Sequence, residues 1–339
     1  MAKTVRTVLV GLGHVNLGLL SILIAKEKQI AKEYGLHLKI VGAIDSSGMA
    51  VSEKGFGYEE LTNIKFNKGK LNETTGFVPQ PVEGIADCID ADLLVDASPV
   101  NLVPKNPGVR LVKNALSKGW RAVFANKSPL VLAYDELNGL AREHKTKILF
   151  SATVCGGLPV INVLRRDLKL ASLINLHGVF NATSNFVLQE MENGGTMEAA
   201  LEEAKRVGAA ETDPTLDISG QDTANKLYIM MKSFTNFNGL IKDIAMEGID
   251  EVTPEKLLEA TKNNCTIKLV ASAYYKGHWH LSVKPTLVAR DSFLGSCNGW
   301  EMGLEVKTDL YESVSMKNFE ADPKGTSAAV LRDMIDLCA

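Results

Sequence analysis

Between Gly208 and Met231 the chain reads GAAETDPTLDISGQDTANKLYIMM, a stretch holding Glu211, Asp213, Asp217, Asp222 and Lys226. Asp222 and Lys226 are four residues apart at the expected start of a helix. They therefore share one face, can hold each other charged, and place a carboxylate where the helix dipole favours it. The apolar residues that follow, Leu227, Ile229, Met230 and Met231, predict a buried helix whose charged end faces a cleft. An ordinary surface pair is the plain alternative. A second lysine, Lys127, lies in Ala125-Asn-Lys-Ser-Pro-Leu130, just after an apolar strand, where ligands of open parallel sheets collect. A solvated loop lysine would read the same way.

A third group of residues suits a ligand's backbone contacts. Gly11-Leu-Gly13-His-Val-Asn16-Leu-Gly18 carries two of the three glycines of GxGxxG, the turn that lets a pyrophosphate sit on the amino terminus of the next helix. Asn16 stands at the third position, with Gly18 two residues later. The context is the one the motif requires, a strand before it and a helix after it. Asp45, after the second expected strand, is placed to accept hydrogen bonds from the ribose hydroxyls of NAD and to repel the extra phosphate of NADP. Strand-end capping is the alternative for Asp45, and Ser46, Ser47 and Lys54 could receive a phosphate, so the choice between NAD and NADP stays open.

The elements that must position these groups follow from hydrophobic spacing. Thr4 to Val10 is rich in β-branched residues and suits a buried parallel strand. Leu19 to Tyr34 spaces apolar residues as a helix does, and Gly35 supplies a stop. Further strands are expected at Leu38 to Ile44, Leu93 to Asp96 and Ala122 to Ala125, with a helix from Gly108 to Lys118. That alternation predicts an α/β fold with a Rossmann-like doubly wound parallel sheet over residues 1–150. Residues 46–80 are rich in Gly, Lys, Asn and Thr and are expected to form a loop with short irregular pieces. Beyond Phe150 the pattern becomes mixed. Helices are expected at Pro159 to Leu168, Asn185 to Glu192, Met197 to Val207 and Gln221 to Phe237, with strands near Thr266 to Tyr274 and Trp300 to Thr308. This predicts a second α+β domain over 151–319. An amphipathic helix from Thr326 to Leu337, within 320–339, is expected to fold back and complete the first domain.

Length and composition agree with two globular domains: 339 residues, 45% hydrophobic and 23% charged. Apolar runs are too short to cross a bilayer, and the start leads into the glycine motif without a cleavage site, so no export is expected. A net charge of -3 without a basic stripe points away from nucleic acid. Five scattered cysteines, with no CxxC spacing, suit free thiols in a reducing cytoplasm and offer no structural zinc site. None of the six histidines has a partner pattern that would make it catalytic.

Taken together, Gly11-x-Gly13, Ala125-Asn-Lys127, Ala152-Thr-Val-Cys-Gly-Gly-Leu-Pro159, Asn181-Ala-Thr-Ser-Asn-Phe186, Glu211-Thr-Asp-Pro214 and Gly220-Gln-Asp222-x-x-x-Lys226 resemble homoserine dehydrogenases, in the same order and over nearly the whole chain. The resemblance implies hydride transfer between a nicotinamide cofactor and the alcohol carbon of L-homoserine, interconverting it with L-aspartate 4-semialdehyde in amino-acid biosynthesis. It implies a homodimer formed through the second domain. It also implies active-site lysines: Lys226, oriented by Asp222, for proton transfer and Lys127 for the hydroxyl, since a desolvated lysine can exchange a proton with an alcohol and an ammonium stabilises an alkoxide. Substrate binding falls to Glu211, Asp217, Asn181 and Thr183. The cofactor site comprises Gly11, Gly13, His14, Val15, Asn16, Asp45, Ser98, Asn126 and Lys127. The backbone carbonyls of Val154, Gly156 and Leu158 are expected to hold a monovalent cation such as sodium, although a tight glycine turn explains the same residues.

The chain departs from the family pattern at Asn16, at Ala182 in place of a glycine, and in Glu320-Ala-Asp-Pro-Lys-Gly-Thr326. No room is left after Leu337 for a regulatory ACT domain, so threonine feedback through one is not expected. Two other readings stay open: the same machinery acting on a different small hydroxy or amino compound, and a catalytically silent sensor of nicotinamide redox state.

Overall fold

A computed structural model describes residues 2–67, 69–207 and 213–339. The chain forms two compact units, one of residues 1–156 with 323–339 and the other of residues 157–322.

The first unit is built on β1 (Lys3–Val10), α1 (His14–Tyr34), β2 (Leu36–Asp45), β3 (Gly48–Val51), α2 (Tyr58–Phe66), β4 (Phe77–Val78), α3 (Ile85–Cys88), β5 (Leu93–Asp96), α4 (Pro107–Ser117), β6 (Arg121–Phe124), α5 (Ser128–Glu143) and β7 (Ile148–Leu149). The strand order is β4-β3-β2-β1-β5-β6-β7. Strands β2, β1, β5, β6 and β7 are parallel, while β3 and β4 add an antiparallel edge. After β1 the chain first extends the sheet on one side through β2 and later on the other through β5. The crevice at the carboxyl ends of β1 and β5 is therefore the topological switch point, where open α/β sheets bind ligands. Val10 and Asp96 pair there, which levels the two strand ends.

Burial explains these elements. Val5, Val8 and Leu9 of β1 are fully buried, and Leu19, Leu20 and Leu23 of α1 pack under the sheet with Val330 and Met334 of the terminal helix (Lys324–Cys338). Each such side chain contributes about 1.5–3 kcal/mol of hydrophobic stabilisation. Gly35 ends α1 in the left-handed conformation (φ 65°), with its N–H bonded to Ala31. The terminal helix thus belongs to the first unit. Its Ser327 hydroxyl donates to the Val15 carbonyl at 2.8 Å, and a Cβ on Gly18 would stand 2.4 Å from that hydroxyl. Glycine at position 18 is what lets the two helices approach.

Residues 46–80, expected as a loop, hold more regular structure than their composition suggests. Strand β3 closes a hairpin on β2, and α2 buries only Leu61 completely, so its apolar periodicity is weak.

The second unit contains α6 (Val160–Asn162), β8 (Leu173–Val179), α7 (Ala182–Glu192), α8 (Met197–Arg206), α9 (Thr215–Ile218), α10 (Gln221–Phe234), β9 (Ala245–Met246), α11 (Pro254–Lys262), β10 (Cys265–Lys276), β11 (His278–Ala289), β12 (Glu301–Thr308) and β13 (Val314–Phe319). Its sheet runs β13-β12-β8-β10-β11-β9 and is antiparallel except at the β11–β9 pair. The single helix expected over Pro159 to Leu168 is a short turn followed by a wider stretch, Val163–Asp167, closed by Leu168 N–H bonding to Val163. Among the described residues no helix is long and apolar enough to cross a membrane.

Candidate functional site

In the second unit, the chain leaves β8 at Val179 and turns through Phe180 and Asn181 into α7. Asn181 caps that helix, its Oδ1 accepting the Ser184 N–H at 2.7 Å. Its amide nitrogen is left facing the other way and donates to Asp217 at 2.6 Å and Asp222 at 2.8 Å. Asp222 lies in the first turn of α10, which Gly220 enters in the left-handed conformation. The Asp222 carboxylate pairs with the Lys226 ammonium at 2.6 Å, and that ammonium also donates to the Phe180 carbonyl at 2.6 Å.

Lys226 and Asp222 are both only 9% exposed, and every residue of α10 from Asp222 to Met231 is buried. The surface-pair reading of Asp222 and Lys226 is therefore excluded. The result is one connected group of Asn181, Asp217, Asp222 and Lys226, with Thr183 buried in the first turn of the capped helix. It offers a fixed ammonium beside carboxylates, the equipment for holding a substrate cation and meeting an alkoxide. Glu211 lies outside the described residues.

In the first unit, Gly11 (φ 78°) turns the chain off β1, and a Cβ there would lie 2.7 Å from the Ser98 Cα. Gly13 is the N-cap of α1. Nothing stands within 4 Å of where its Cβ would be, and no side chain caps the helix. An uncapped helix start beside a bare Gly13 is the arrangement a pyrophosphate requires. His14 is exposed and Val15 half-buried at this helix start. Asn16, at the third glycine position, is buried and folds back. Its amide donates to the carbonyls of Val10 at 3.1 Å and Gly11 at 2.7 Å, tying helix to strand where a glycine would do so by close packing. Gly18 makes a different close approach, helix to helix, against Ser327.

At the end of β2, Asp45 is engaged on all sides. Its Oδ1 accepts the Ser47 amide at 2.7 Å and the Ser47 hydroxyl at 2.5 Å, and its Oδ2 takes the Lys65 ammonium and, at 3.4 Å, the Leu71 amide. Burial pushes the Asp45 carboxyl up, but Lys65 and Ser47 outweigh it and hold it below the usual carboxylate range. About four acceptor positions are available to a carboxylate, and all are in use. Lys65, twenty residues away, gave no signal in the sequence.

Ser98 and Asn126 follow β5 and β6, and Asn126 donates to the Ser98 hydroxyl at 3.0 Å. Lys127 is half-buried at the N-cap of α5. In the expected cation loop, Val154 and Leu158 are buried, and Cys155 and Gly156 are both left-handed (φ 55° and 54°). The donors expected there are all carbonyl oxygens, a set that fits a hard cation.

The profile of the homoserine dehydrogenase family matches residues 159–335. A homoserine dehydrogenase of Methanocaldococcus jannaschii is 34% identical over 97% of both chains. The chain belongs to the homoserine dehydrogenase family. An NAD(+)-dependent homoserine dehydrogenase of Pseudomonas canavaninivorans is 30% identical over 97% of this chain and 95% of that one. The solved structure of a hyperthermophilic archaeal homoserine dehydrogenase in complex with NADPH superposes with a TM-score of 0.83 at 28% identity, covering 99% and 98% of the chains. Family membership bears out the resemblance read from the motifs, and the structure bears out the α/β class with its parallel nucleotide-binding sheet.

Proposed function

We infer that the chain is a homoserine dehydrogenase, an NAD(P)-dependent oxidoreductase acting on the CH–OH group of L-homoserine. The observation that carries this is the connected group of the buried Asn181, Asp222 and Lys226 with the half-buried Asp217, in a chain of this family. A bound nicotinamide would supply the redox chemistry, its oxidised form taking a hydride from the alcohol carbon and its reduced form giving one to the aldehyde carbon in the reverse direction. Lys226, oriented by Asp222, is the proton-transfer group: as the neutral amine it takes the alcohol proton during oxidation, and as the ammonium it returns that proton to the alkoxide during reduction. Lys127 meets the hydroxyl. Asp217 and Glu211 take the substrate ammonium, because a carboxylate pairs well with a cation out of water. Asn181 fixes the carboxylates, and Thr183 lies against the substrate.

Gly11, Gly13, His14, Val15 and Asn16 form the pyrophosphate turn, and Ser98, Asn126 and Lys127 the nicotinamide end. A monovalent cation on the carbonyls of Val154, Gly156 and Leu158 belongs to the same reading. So does a homodimer that covers the exposed Tyr274, Tyr275, Leu287 and Phe319 of the second unit's sheet. The five cysteines, all free, suit the cytoplasm.

Cofactor preference follows from Asp45. A carboxylate that selects against a 2′-phosphate must present an open charge to it. Here Lys65 neutralises that charge, so NADP is accepted at least as well as NAD. Lys65→Ala exposes the Asp45 charge and is expected to shift the kcat/KM ratio of NAD over NADP upward by at least about tenfold, one lost charge contact. The ratio is read with L-homoserine and each cofactor in turn. An unchanged ratio would reduce Asp45 and Lys65 to a cap on the strand end.

A further inference from the structure

Asp96 ends β5 opposite Val10, at the switch point itself, and is 1% exposed. It has no cation partner among the described residues. Three donors converge on it instead: the Ser98 amide at 3.0 Å, the Ser98 hydroxyl at 2.6 Å and the Asn126 amide nitrogen at 3.2 Å. Its backbone carbonyl also accepts the N–H groups of Ala125 at 2.8 Å and Asn126 at 3.0 Å. Burial raises its pKa above the ordinary value, against the pull of Ser98 and Asn126. A buried carboxylate without a cation is among the costliest groups a core can hold, and an apolar side chain would stabilise the strand end better. Stability therefore does not explain it.

The wiring explains it. An acceptor-only group at position 96 obliges Asn126 to turn its amino side inward, so that its Oδ1 receives the Ser128 N–H at 2.9 Å. Ser128 in turn accepts the Asn101 N–H at 2.7 Å. The loop after β5, the turn carrying Lys127 and the first residue of α5 are thereby locked together, and the Gly11 turn closes against the same Ser98 backbone. We propose that Asp96 is a positioning residue of the cofactor crevice, fixing Ser98 and the Asn126–Lys127 turn in the arrangement that receives the nicotinamide end. This rests on the reading of the crevice as a nicotinamide site.

Asp96→Asn keeps the shape but turns an amino group toward Asn126 or Ser98, setting donor against donor. It is expected to weaken NAD(P) binding about tenfold and to lower kcat at saturating cofactor by about 10–100-fold, the scale of a small misplacement, with KM for L-homoserine nearly unchanged. Exchanging the two groups, Asp96→Asn with Asn126→Asp, restores donor to acceptor and is expected to recover most of both losses. Cofactor affinity is measured by titration without substrate. A wild-type protein that binds NAD(P) but is inert toward L-homoserine would therefore sink the activity and leave this test readable. Unchanged constants in a folded Asp96→Asn protein overturn the proposal. So does a loss that the exchange does not recover, including failure of both variants to fold, which would leave the carboxylate a purely structural element.

Discussion

Replacing Lys226 by alanine is expected to lower kcat by about 10²–10⁴-fold, the usual worth of a positioned acid–base group, while the affinity for NAD(P) measured without substrate stays within about twofold. The ammonium is held on two sides, by Asp222 and by the Phe180 carbonyl, so it cannot follow the substrate and must be met by it. Truncation removes that charge and also leaves the Asp222 carboxylate buried without its cation, which costs about 3–5 kcal/mol in comparable buried pairs. A stability loss therefore accompanies the kinetic one, and the two must be separated. Asp222→Asn with Lys226→Met removes both charges together, keeps an acceptor for Asn181, and is expected to fold with the stability largely restored and the turnover still lost. Recovery of turnover in that pair would show that Lys226 serves the fold and not the chemistry.

The second large effect is expected at the glycine turn, where two neighbouring glycines are present for different reasons. Gly11 has φ 78°, and a Cβ on it would meet the backbone of Ala97 and Ser98 at 2.7–2.9 Å. Gly11→Ala must therefore strain the turn or push the loop after β5 away, at a cost of about 1–3 kcal/mol for the backbone alone. Unfolding by urea and cofactor titration are both expected to show the loss. A Cβ on Gly13 meets nothing within 4 Å. Gly13→Ala is thus expected to leave stability unchanged within about 0.5 kcal/mol and still weaken NAD(P) by at least about tenfold, because only the pyrophosphate needs that backbone bare. Full cofactor affinity in Gly13→Ala would contradict the placement of the pyrophosphate on α1.

What the sequence made legible was local. The Gly11 turn, the Gly35 stop and the Asp222–Lys226 spacing are each set within a few residues, so their types and intervals carry the signal. The strict glycine fingerprint failed at Asn16 for a reason that needs the fold. Asn16 reaches back to two carbonyls and ties the helix to the strand, while Gly18 is kept small for another contact, the approach of a helix more than 300 residues later.

Contacts made across the chain were invisible for the same reason. Lys65 on Asp45, Asn126 on Asp96, and Asn181 joining Asp217 to Asp222 are brought together by the packing of helices and strands distant in sequence and not by periodicity. Asp96 itself read as the last residue of a short strand. Strand β8 was hidden because its alternation of buried and exposed residues is irregular, as its burial from Leu173 to Val179 shows.

The most direct test of the central claim follows the absorbance of reduced nicotinamide when the purified protein is mixed with L-homoserine and NAD or NADP, with the aldehyde product trapped and identified. Reduction that depends on homoserine and yields L-aspartate 4-semialdehyde is the predicted result. Demonstrated binding of the cofactor with no homoserine-dependent reduction by either one would contradict the account and return the chain to a different substrate or a silent sensor.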